Sequence, residues 1–457
     1  MRIRVAWTAR RRSSALVSSS RWKSRRRVHS DTYPEGAYWV CNPATRSSAR
    51  VSGSGDRSRR SWRASSALFS SRAVRTRSLI GRPYTAPQMP RTRTLTDDNV
   101  RRLRTAAQHL HRPRRRSAVD LVRHLTGVQA QSLPAARLAF PARTEGLTVE
   151  RVDRARLRKR SIVHTWAMRG TLYLIAAEDY GWLVPLVIEP RIPNAFRRLE
   201  QEGVPPDQPA KAIRLIGRML GREGPLTRPE IAERLRSGGI RTQGQALVHL
   251  LWLASAKGVI CRGPERGRDQ CFVLVRDWIG EPEPMERDAA LAELAVRFLR
   301  AHGPATPADL AVWSGIRAGD ARRAWAGIEA RLIEVETARG AMWSLRRSAA
   351  EAPRGVVRLI PWWDEYLLGW KDRDLVAPLE LWRKINRDGG GWLNPTILAD
   401  GMAVGMWNTK PTPKALHIEV QPFSALSPTV RRGIRREAEH LSDFLGAPVK
   451  PVFAAGP

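Results

Sequence analysis

Two stretches of this sequence repeat one pattern 79 residues apart: GPLTRPEIAERL at Gly224–Leu235 and GPATPADLAVWS at Gly303–Ser314. Both fit G-P-x-T-x-x-(E/D)-(I/L)-A, in which a threonine precedes an acidic residue by three positions. This spacing is typical of a capping box, where the threonine caps the first turn and the acidic side chain bonds back to it. Thr227 and Thr306 are therefore predicted to begin two equivalent helices.

The flanks of each copy predict the same series of elements. An amphipathic helix precedes it, a glycine turn and a second helix (243–257 or 320–331) follow, and two short strands close the unit. Helix, helix-turn-helix and β-hairpin in this order are typical of a winged helix, whose second helix enters the major groove of DNA. The alternative is a scaffold or a protein-contact module, because the recognition helix of the second copy, DARRAWAGIEA, carries only two arginines.

A third, divergent module precedes the two repeats. It has predicted helices at 97–110 and 117–125, and a wing formed by SIVHTWAMRGTLYLI that turns at Arg169-Gly170. After Gly355 the sequence alternates as in β-strands, with a hairpin turn at Asp400-Gly401, and then forms a helix. We therefore predict a mainly α fold with β structure (α+β), in which tandem winged-helix modules are followed by a C-terminal β-barrel-like domain. The predicted domains are three winged-helix-like modules at 95–206, 207–285 and 286–350, and a β-rich domain at 351–457.

Charge separates a basic leader from the folded part of the chain. The formal net charge is +36, and residues 1–88 contain 20 basic but only 3 acidic residues. This Arg/Ser-rich stretch has no apolar periodicity, so residues 1–94 are predicted to be a disordered leader. We expect Met89 to be the true first residue; an organellar transit peptide and a nucleic-acid-binding tail are the alternatives. The rest of the chain is itself basic, which favours a polyanionic partner.

Cysteine usage, hydropathy and motif content restrict the class of protein. Cys41, Cys261 and Cys271 are too few for a disulfide framework and form no CxxC pair. No apolar run reaches the ~18 residues that a membrane span needs, so we expect a cytoplasmic, nucleoid-associated protein with no membrane partner. The sequence has no HExxH, Cys–His cluster or Walker loop, so neither a metal nor a nucleotide cofactor is predicted.

Five motifs in one order resemble a known family, the AlkZ-like winged-helix DNA glycosylases of bacteria. They cover nearly all of the predicted folded part, and their order along the chain matches that of the family. The motifs are GVQAQ at Gly127–Gln131, HTWAMRGTLYLI at His164–Ile175, GPATPADLAVWSGI at Gly303–Ile316, PWWDEYLLGWKDR at Pro361–Arg373 and PTILADGMAVGMW at Pro395–Trp407.

The resemblance implies a reaction and two catalytic residues. Members of the family remove bulky alkylated purines from DNA, and some open interstrand crosslinks at N7-alkylguanine. Their Gln-x-Gln motif corresponds to Gln129 and Gln131, which the resemblance therefore implies are catalytic. The sequence departs from the family at Tyr173, where a histidine is expected, and at Trp362-Trp363, which replace an aliphatic-aromatic pair; these departures bear on the substrate more than on the reaction.

Glutamine neither titrates nor attacks, yet it suits this chemistry. An N7-alkylguanine is already cationic and its glycosidic bond is labile, so the enzyme needs only to place a water beneath an oxocarbenium-like sugar. Amide groups can orient that water through carbonyl acceptors and N–H donors. Residues two apart share a face only in extended chain, so GVQAQSLP is predicted to be irregular or a helix start. On spacing alone, two exposed glutamines with no catalytic role are the alternative.

Contacts to DNA are predicted from a basic loop, the cluster Arg112–Arg116, and from the first wing. The residues are Arg114, Arg115, His164, Trp166 and Arg169, with Arg169 on a phosphate and Trp166 partly in the core. The adjacent Asp364 and Glu365 are expected to point apart and to pack and cap a β turn. The 17 tryptophans are expected mainly in the core and between domains rather than as a base-stacking array. We expect a monomer that binds damaged double-stranded DNA.

Two functions of other classes compete with a glycosylase. A transcription regulator would need a dimerisation helix and an Arg/Lys-rich recognition helix, and neither is evident in the sequence. An interaction scaffold without DNA affinity is disfavoured by the basic charge. A regulator should prefer one DNA sequence, whereas a repair enzyme should bind by charge and shape, with an affinity that falls steeply with salt.

Overall fold

A computed structural model describes residues 94–112, 115–387 and 391–453. The predicted leader, apart from Thr94, and Arg114 lie outside the described residues. The fold is mixed α and β, as predicted. No helix in the described ranges is both long and apolar enough to span a membrane.

The first module begins with a capped helix. Thr96 and Asn99 form a capping box at its start, and Ser117 caps the next helix through its side chain. The two helices that follow the wing, α5 and α6, were not foreseen from the sequence. The elements are β1 (Thr94–Leu95), α1 (Asp97–Ala107), α2 (Ala118–Leu125), β2 (Val128–Gln129), α3 (Leu133–Leu138), α4 (Val149–Asp153), β3 (Ile162–Trp166), β4 (Leu172–Ala176), α5 (Tyr180–Ile188) and α6 (Ile192–Gln201).

The two repeats fold as the same series of elements. The carboxylate of Glu230 accepts from the Thr227 backbone N–H at 2.7 Å, and that of Asp309 from the Thr306 N–H at 2.9 Å, so both predicted helix starts are confirmed. The elements are α7 (Gln208–Glu223), β5 (Leu226–Thr227), α8 (Arg228–Ser237), α9 (Ala246–Ala256), β6 (Ile260–Arg266), β7 (Asp269–Leu274) and α10 (Val275–Ile279), then α11 (Arg287–His302), α12 (Pro307–Ser314), α13 (Ala318–Ala326), β8 (Leu332–Thr337) and β9 (Gly340–Leu345).

The C-terminal part contains a five-stranded sheet. The turn at Asp400-Gly401 is confirmed, and both residues have positive φ (48° and 80°), as a tight hairpin turn requires. The elements are β10 (Val357–Ile360), α14 (Glu365–Leu368), α15 (Leu379–Ile385), β11 (Asn386–Arg387), β12 (Trp392–Leu393), β13 (Thr396–Ala399), β14 (Met402–Pro411), β15 (Leu416–Pro422), α16 (Pro428–Leu445) and β16 (Val449–Phe453).

This sheet has the strand order β10-β13-β14-β15-β16. Among the described residues its outer strands β10 and β16 do not pair with each other, so barrel-like closure stays a prediction. Helix α16 packs against both of these strands. Its apolar face, with Ile434 and Leu441, shares a core with Val357 and Ile418 of the sheet, because burying one helix stripe on one sheet face removes both from water.

Strand pairing joins the predicted modules. A six-stranded sheet has the order β2-β4-β3-β6-β7-β5, in which His164 of the first module pairs with Arg262 of the second. Strand β1 also pairs in parallel with β8 of the third module. Two predicted wings therefore form one continuous sheet, and β2, which carries Gln129, is its edge strand.

Candidate active site

The glutamine motif lies in extended chain beside β4. Gln129 pairs with Tyr173 across the sheet, and the side-chain oxygen of Gln131 accepts from the Leu172 N–H at 3.2 Å. Gly127 makes this approach possible, because its φ is +139° and a Cβ there would come within 2.9 Å of the Met168 and Tyr173 side chains. Both glutamines therefore contact β4. This is possible because their segment is extended and not helical.

The side chain of Gln129 is buried but incompletely bonded. It is 7% exposed, and its carbonyl oxygen Oε1 has no hydrogen-bond partner among the described residues. Gln131 is half-buried. An unsatisfied buried acceptor costs about 1–3 kcal/mol and is rare in folded proteins. The atom is therefore a candidate to accept a hydrogen bond during the reaction.

Glu365 lies directly against the motif. Its Oε1 accepts from the Gln129 backbone N–H at 3.0 Å, and its Oε2 accepts from the Trp313 indole N–H at 2.9 Å. The side chain is 1% exposed. Burial raises the pKa of this carboxyl to about 7, against the opposing effect of the Arg169 guanidinium. An ionisable carboxyl group with a near-neutral pKa thus adjoins the glutamine expected to position water.

Asp364 points away from Glu365, as expected for adjacent residues. Its carboxylate accepts from both terminal nitrogens of Arg143, at 2.6 and 2.8 Å. It also accepts from the Tyr366 N–H at 2.9 Å and begins α14. The predicted β-turn cap is therefore wrong: Asp364 caps a short helix, and Glu365 accepts a hydrogen bond from the Gln129 backbone.

Arg169, in the turn of the first wing, contacts the residues that surround Glu365. It has a left-handed backbone conformation (φ 58°) and is half-buried. Its guanidinium donates to the Trp313 carbonyl and to the Tyr173 hydroxyl. The predicted phosphate contact of Arg169 is untested, but its position is internal and beside Glu365 rather than at an exposed wing tip.

The chain is similar to known proteins over most of its length. The family model for DNA glycosylase AlkZ-like proteins matches residues 122–444. The chain belongs to the AlkZ-like DNA glycosylase family. It is 30% identical over 360 residues to a Streptomyces sahachiroi protein named interstrand DNA cross-link repair glycosylase. The aligned part covers 74% of this chain and 93% of the relative. It also aligns with the solved structure of Streptomyces sahachiroi DNA glycosylase AlkZ with a TM-score of 0.65 and 27% identity, over 79% of this chain and 100% of that one.

This membership confirms the resemblance read from the five motifs. It identifies the chain with a family of DNA-repair glycosylases, whose reaction acts on DNA. Of the remaining predicted contacts to DNA, Arg115 lines a cavity and His164 and Trp166 are buried, whereas Arg114 is outside the described residues.

A basic cavity lies beside the predicted basic loop. It has a volume of about 1110 Å³ and is lined by several arginines and only two carboxylates. Five of its cations form no ion pair within the described ranges: Arg115, Arg151, Arg154, Lys159 and Arg300. The other cationic side chains in the lining are Arg116 and Arg123. Arg115 is thus grouped with further cations that the sequence analysis did not single out.

His164 and Trp166 lie inside the protein rather than on its surface. His164 is 4% exposed and its Nε2 is 3.1 Å from the Ala130 carbonyl oxygen. Burial lowers the pKa of His164 well below its usual range, so the ring is neutral. Trp166 is 5% exposed and stacks on Phe272. Both rings are buried in this conformation, and their predicted contacts to DNA stay predictions.

Three half-buried tryptophans form a cluster next to Glu365. The ring centroids of Trp362 and Trp363 are 5.6 Å apart, and Trp392 is 6.2 and 5.2 Å from them. Trp363 has φ 53°, a strained conformation for a bulky residue. Four other tryptophans, Trp252, Trp313, Trp370 and Trp407, are fully buried. Core packing was thus correctly expected for these four, whereas the cluster keeps partly exposed rings.

Sequence reasoning missed Glu365 and Trp313 as site residues. Glu365 is 236 positions from Gln129, so no local spacing could bring them together. The signal in the sequence is the motif at Pro361–Arg373, which carries the family resemblance but no spacing that links it to Gln129.

Proposed function

We propose that this protein is a monofunctional DNA glycosylase that hydrolyses the N-glycosidic bond of bulky or N7-alkylated purines. Gln129 and Gln131 hold the attacking water. The observation that carries the proposal is the buried, unbonded Oε1 of Gln129 in a chain of the AlkZ-like DNA glycosylase family. A buried acceptor of this kind can take a hydrogen bond from a water without the loss of an existing partner.

The chemistry follows from the substrate's charge. The bond between the sugar C1′ and the purine nitrogen breaks, and its electron pair neutralises the cationic base. The water oxygen bonds to C1′ and its surplus proton passes to solvent, so the products are a free alkylated base and an abasic site. The amides act by orientation and by complementing the positive sugar, so the reaction requires neither an amine nucleophile nor a strong base.

Damaged double-stranded DNA is the proposed partner, held by tandem winged helices and by the basic cavity. The twofold series of helix, capped helix, helix and hairpin supports the winged-helix assignment. Helix α2 has 8 residues and connects the cavity at its start with the segment leading to Gln129 at its end. Its length is about 12 Å, so cavity cations could contact phosphates a few nucleotides from the damaged base.

The tryptophan cluster supports a bulky substrate. Aromatic rings stack on planar groups with a gain of about 1–3 kcal/mol per base, and Trp363 precedes Glu365 by only two positions. Trp363→Ala should therefore slow excision of an aromatic N7 adduct about tenfold more than excision of 7-methylguanine. Equal losses for the two substrates would remove the cluster from substrate selection.

Crosslinked purines are proposed as one substrate class. The support is the relative from Streptomyces sahachiroi, whose name is interstrand DNA cross-link repair glycosylase. A cytoplasmic, nucleoid-associated location and a monomeric state remain predictions from the sequence.

The test is base release from a duplex with one N7-alkylguanine, followed by alkali to cleave the abasic strand. Wild-type protein should release the base in single-turnover conditions and leave the strand intact until alkali is added. The Gln129→Ala, Gln131→Ala double variant should bind the duplex but release little base. Release at the wild-type rate by this variant would exclude the glutamines, and no release by wild type would exclude the glycosylase.

A further inference from the structure

The carboxylate of Glu365 joins three separate parts of the chain. It begins α14 in the C-terminal part, accepts from the Gln129 backbone in β2, and accepts from the Trp313 indole in α12. The Tyr173 hydroxyl of β4 also lies next to it. A single side chain therefore links the edge strand β2, which is also paired with β4, to α12 and α14.

Glu365 bonds to the backbone N–H of Gln129 and not to the side-chain amide of that residue. The Gln129 N–H is bonded to Glu365, while the Gln129 Oε1 has no partner among the described residues. Glu365 thus holds the main chain of Gln129, whose side-chain Oε1 is the proposed acceptor for the attacking water.

We propose, on the basis of the function proposed above, that Glu365 is a positioning residue that holds Gln129 in its active geometry through an ionised carboxylate. It does not touch the substrate, because its two oxygens are already engaged by protein donors. Protonation places an O–H on one oxygen and weakens its bond to a backbone or indole N–H, so the strand is held less firmly.

The charged and titratable groups around Glu365 agree with this role. Arg169, from the turn between β3 and β4, favours the ionised form, and Asp364 on the same element opposes it. Tyr173 is buried and its pKa is raised, so it stays neutral. Burial opposes ionisation most strongly and raises the pKa of Glu365 to about 7. Both protonation states are therefore populated near neutral pH.

The experiment is single-turnover excision from pH 6 to pH 8.5 by wild type, Glu365→Gln and a matched control, Glu437→Gln. Glu437 is another buried carboxylate, on α16, and it pairs with Arg112 of the first module at 2.7 and 2.8 Å. The ratio of two rates at one pH cancels any titration of the DNA itself. Circular dichroism and thermal melting of each variant report the fold.

The ratio of wild-type to Glu365→Gln rates should rise about tenfold from pH 6 to pH 8, as one ionisation near 7 requires. At pH 8 the variant should be about tenfold to a hundredfold slower, as for the loss of a residue that orients a catalytic group. Glu365→Asp, which keeps the carboxylate, should restore part of the rate and the pH dependence. Glu437→Gln should keep the wild-type profile even if it lowers the melting temperature.

If Glu365→Gln does not fold, the pH profile of Trp313→Phe tests the proposal instead. It removes one hydrogen bond to the ionised form, so the midpoint of the wild-type rise should move to higher pH. A Trp313→Phe profile identical to wild type would overturn the proposal, as would a folded Glu365→Gln variant with wild-type rate and profile. Absence of any excision by wild type would instead overturn the glycosylase itself, and the positioning role with it.

Discussion

Two neighbouring carboxylates, Asp364 and Glu365, are both buried and yet differently bonded. Asp364 forms a bidentate ion pair with Arg143, whose guanidinium also donates to Gln108 at 2.9 Å. Glu365 is bonded to two neutral N–H groups and adjoins a glutamine with an unsatisfied acceptor. A carboxylate in a bidentate ion pair is typical of a structural role, even though the Arg143 Nε has no partner among the described residues. A buried carboxylate held by neutral donors beside an unsatisfied amide oxygen is a cost that function explains.

The largest expected effect is on stability, from breaking the Asp364–Arg143 pair. Asp364→Asn leaves the fully buried Arg143 guanidinium without its counter-charge and should lower the free energy of unfolding by about 3–5 kcal/mol. Urea denaturation monitored by circular dichroism measures it. A loss below about 1 kcal/mol would mean that the pair contributes no more than a surface ion pair.

A substitution among Gln129, Gln131 and Glu365 should lower the excision rate more than the free energy of unfolding. Gln131→Ala should slow excision of an N7-alkylpurine about 10²–10³-fold, as expected for the loss of a preorganised polar contact. The variant loses the neutral hydrogen bond to the Leu172 N–H, so the free energy of unfolding should fall by about 1 kcal/mol. Single-turnover kinetics and denaturation of the same sample separate the two effects. If the slower excision were explained by an equal loss of folded protein, the glutamines would act on stability, as the Asp364–Arg143 pair does.

Glu365 should make the folded state less stable as pH rises. Its folded pKa is about 7 against an ordinary value of 4.5, so its contribution is fully present below pH 4.5 and is lost as pH rises through 7. At about 1.4 kcal/mol per pKa unit, the difference amounts to about 3 kcal/mol. The unfolding free energy of Glu365→Gln minus that of wild type should therefore rise by about this amount from pH 4.5 to pH 8. A pH-independent difference would contradict it.

The smallest expected effect concerns the basic cavity, which lies apart from Asp364 and Glu365. Arg300→Ala should weaken binding to undamaged and damaged duplexes equally, by about 1 kcal/mol, and reduce the salt dependence of the affinity by about one phosphate contact. Fluorescence anisotropy at several salt concentrations measures both quantities. Arg354→Ala, which removes an exposed arginine paired with Asp98, is the control. Binding confined to one palindrome, or insensitive to salt, would favour a transcription regulator.

The local elements were predictable because their causes lie within a few residues. The capping boxes at Thr227 and Thr306 and the turn at Asp400-Gly401 all formed as expected, since caps and tight turns depend on short-range hydrogen bonds and backbone preferences. Gln129 and Gln131 were found through the family motif. Their catalytic role is still a prediction, but their shared position beside β4 follows from a segment that the sequence marked as irregular.

The tertiary structure alone decided how distant segments meet. His164 and Trp166 have polar and apolar parts and lie in a predicted wing, and only the packing of the folded chain, such as Trp166 on Phe272, puts them in the interior. Likewise, Asp364 and Glu365 are equivalent acidic neighbours in sequence. Only the tertiary packing gives Asp364 an arginine and Glu365 the backbone of Gln129 and the indole of Trp313. Burial and long-range partners, which set a carboxylate's pKa and role, arise from the folded chain as a whole, so no local pattern encodes them.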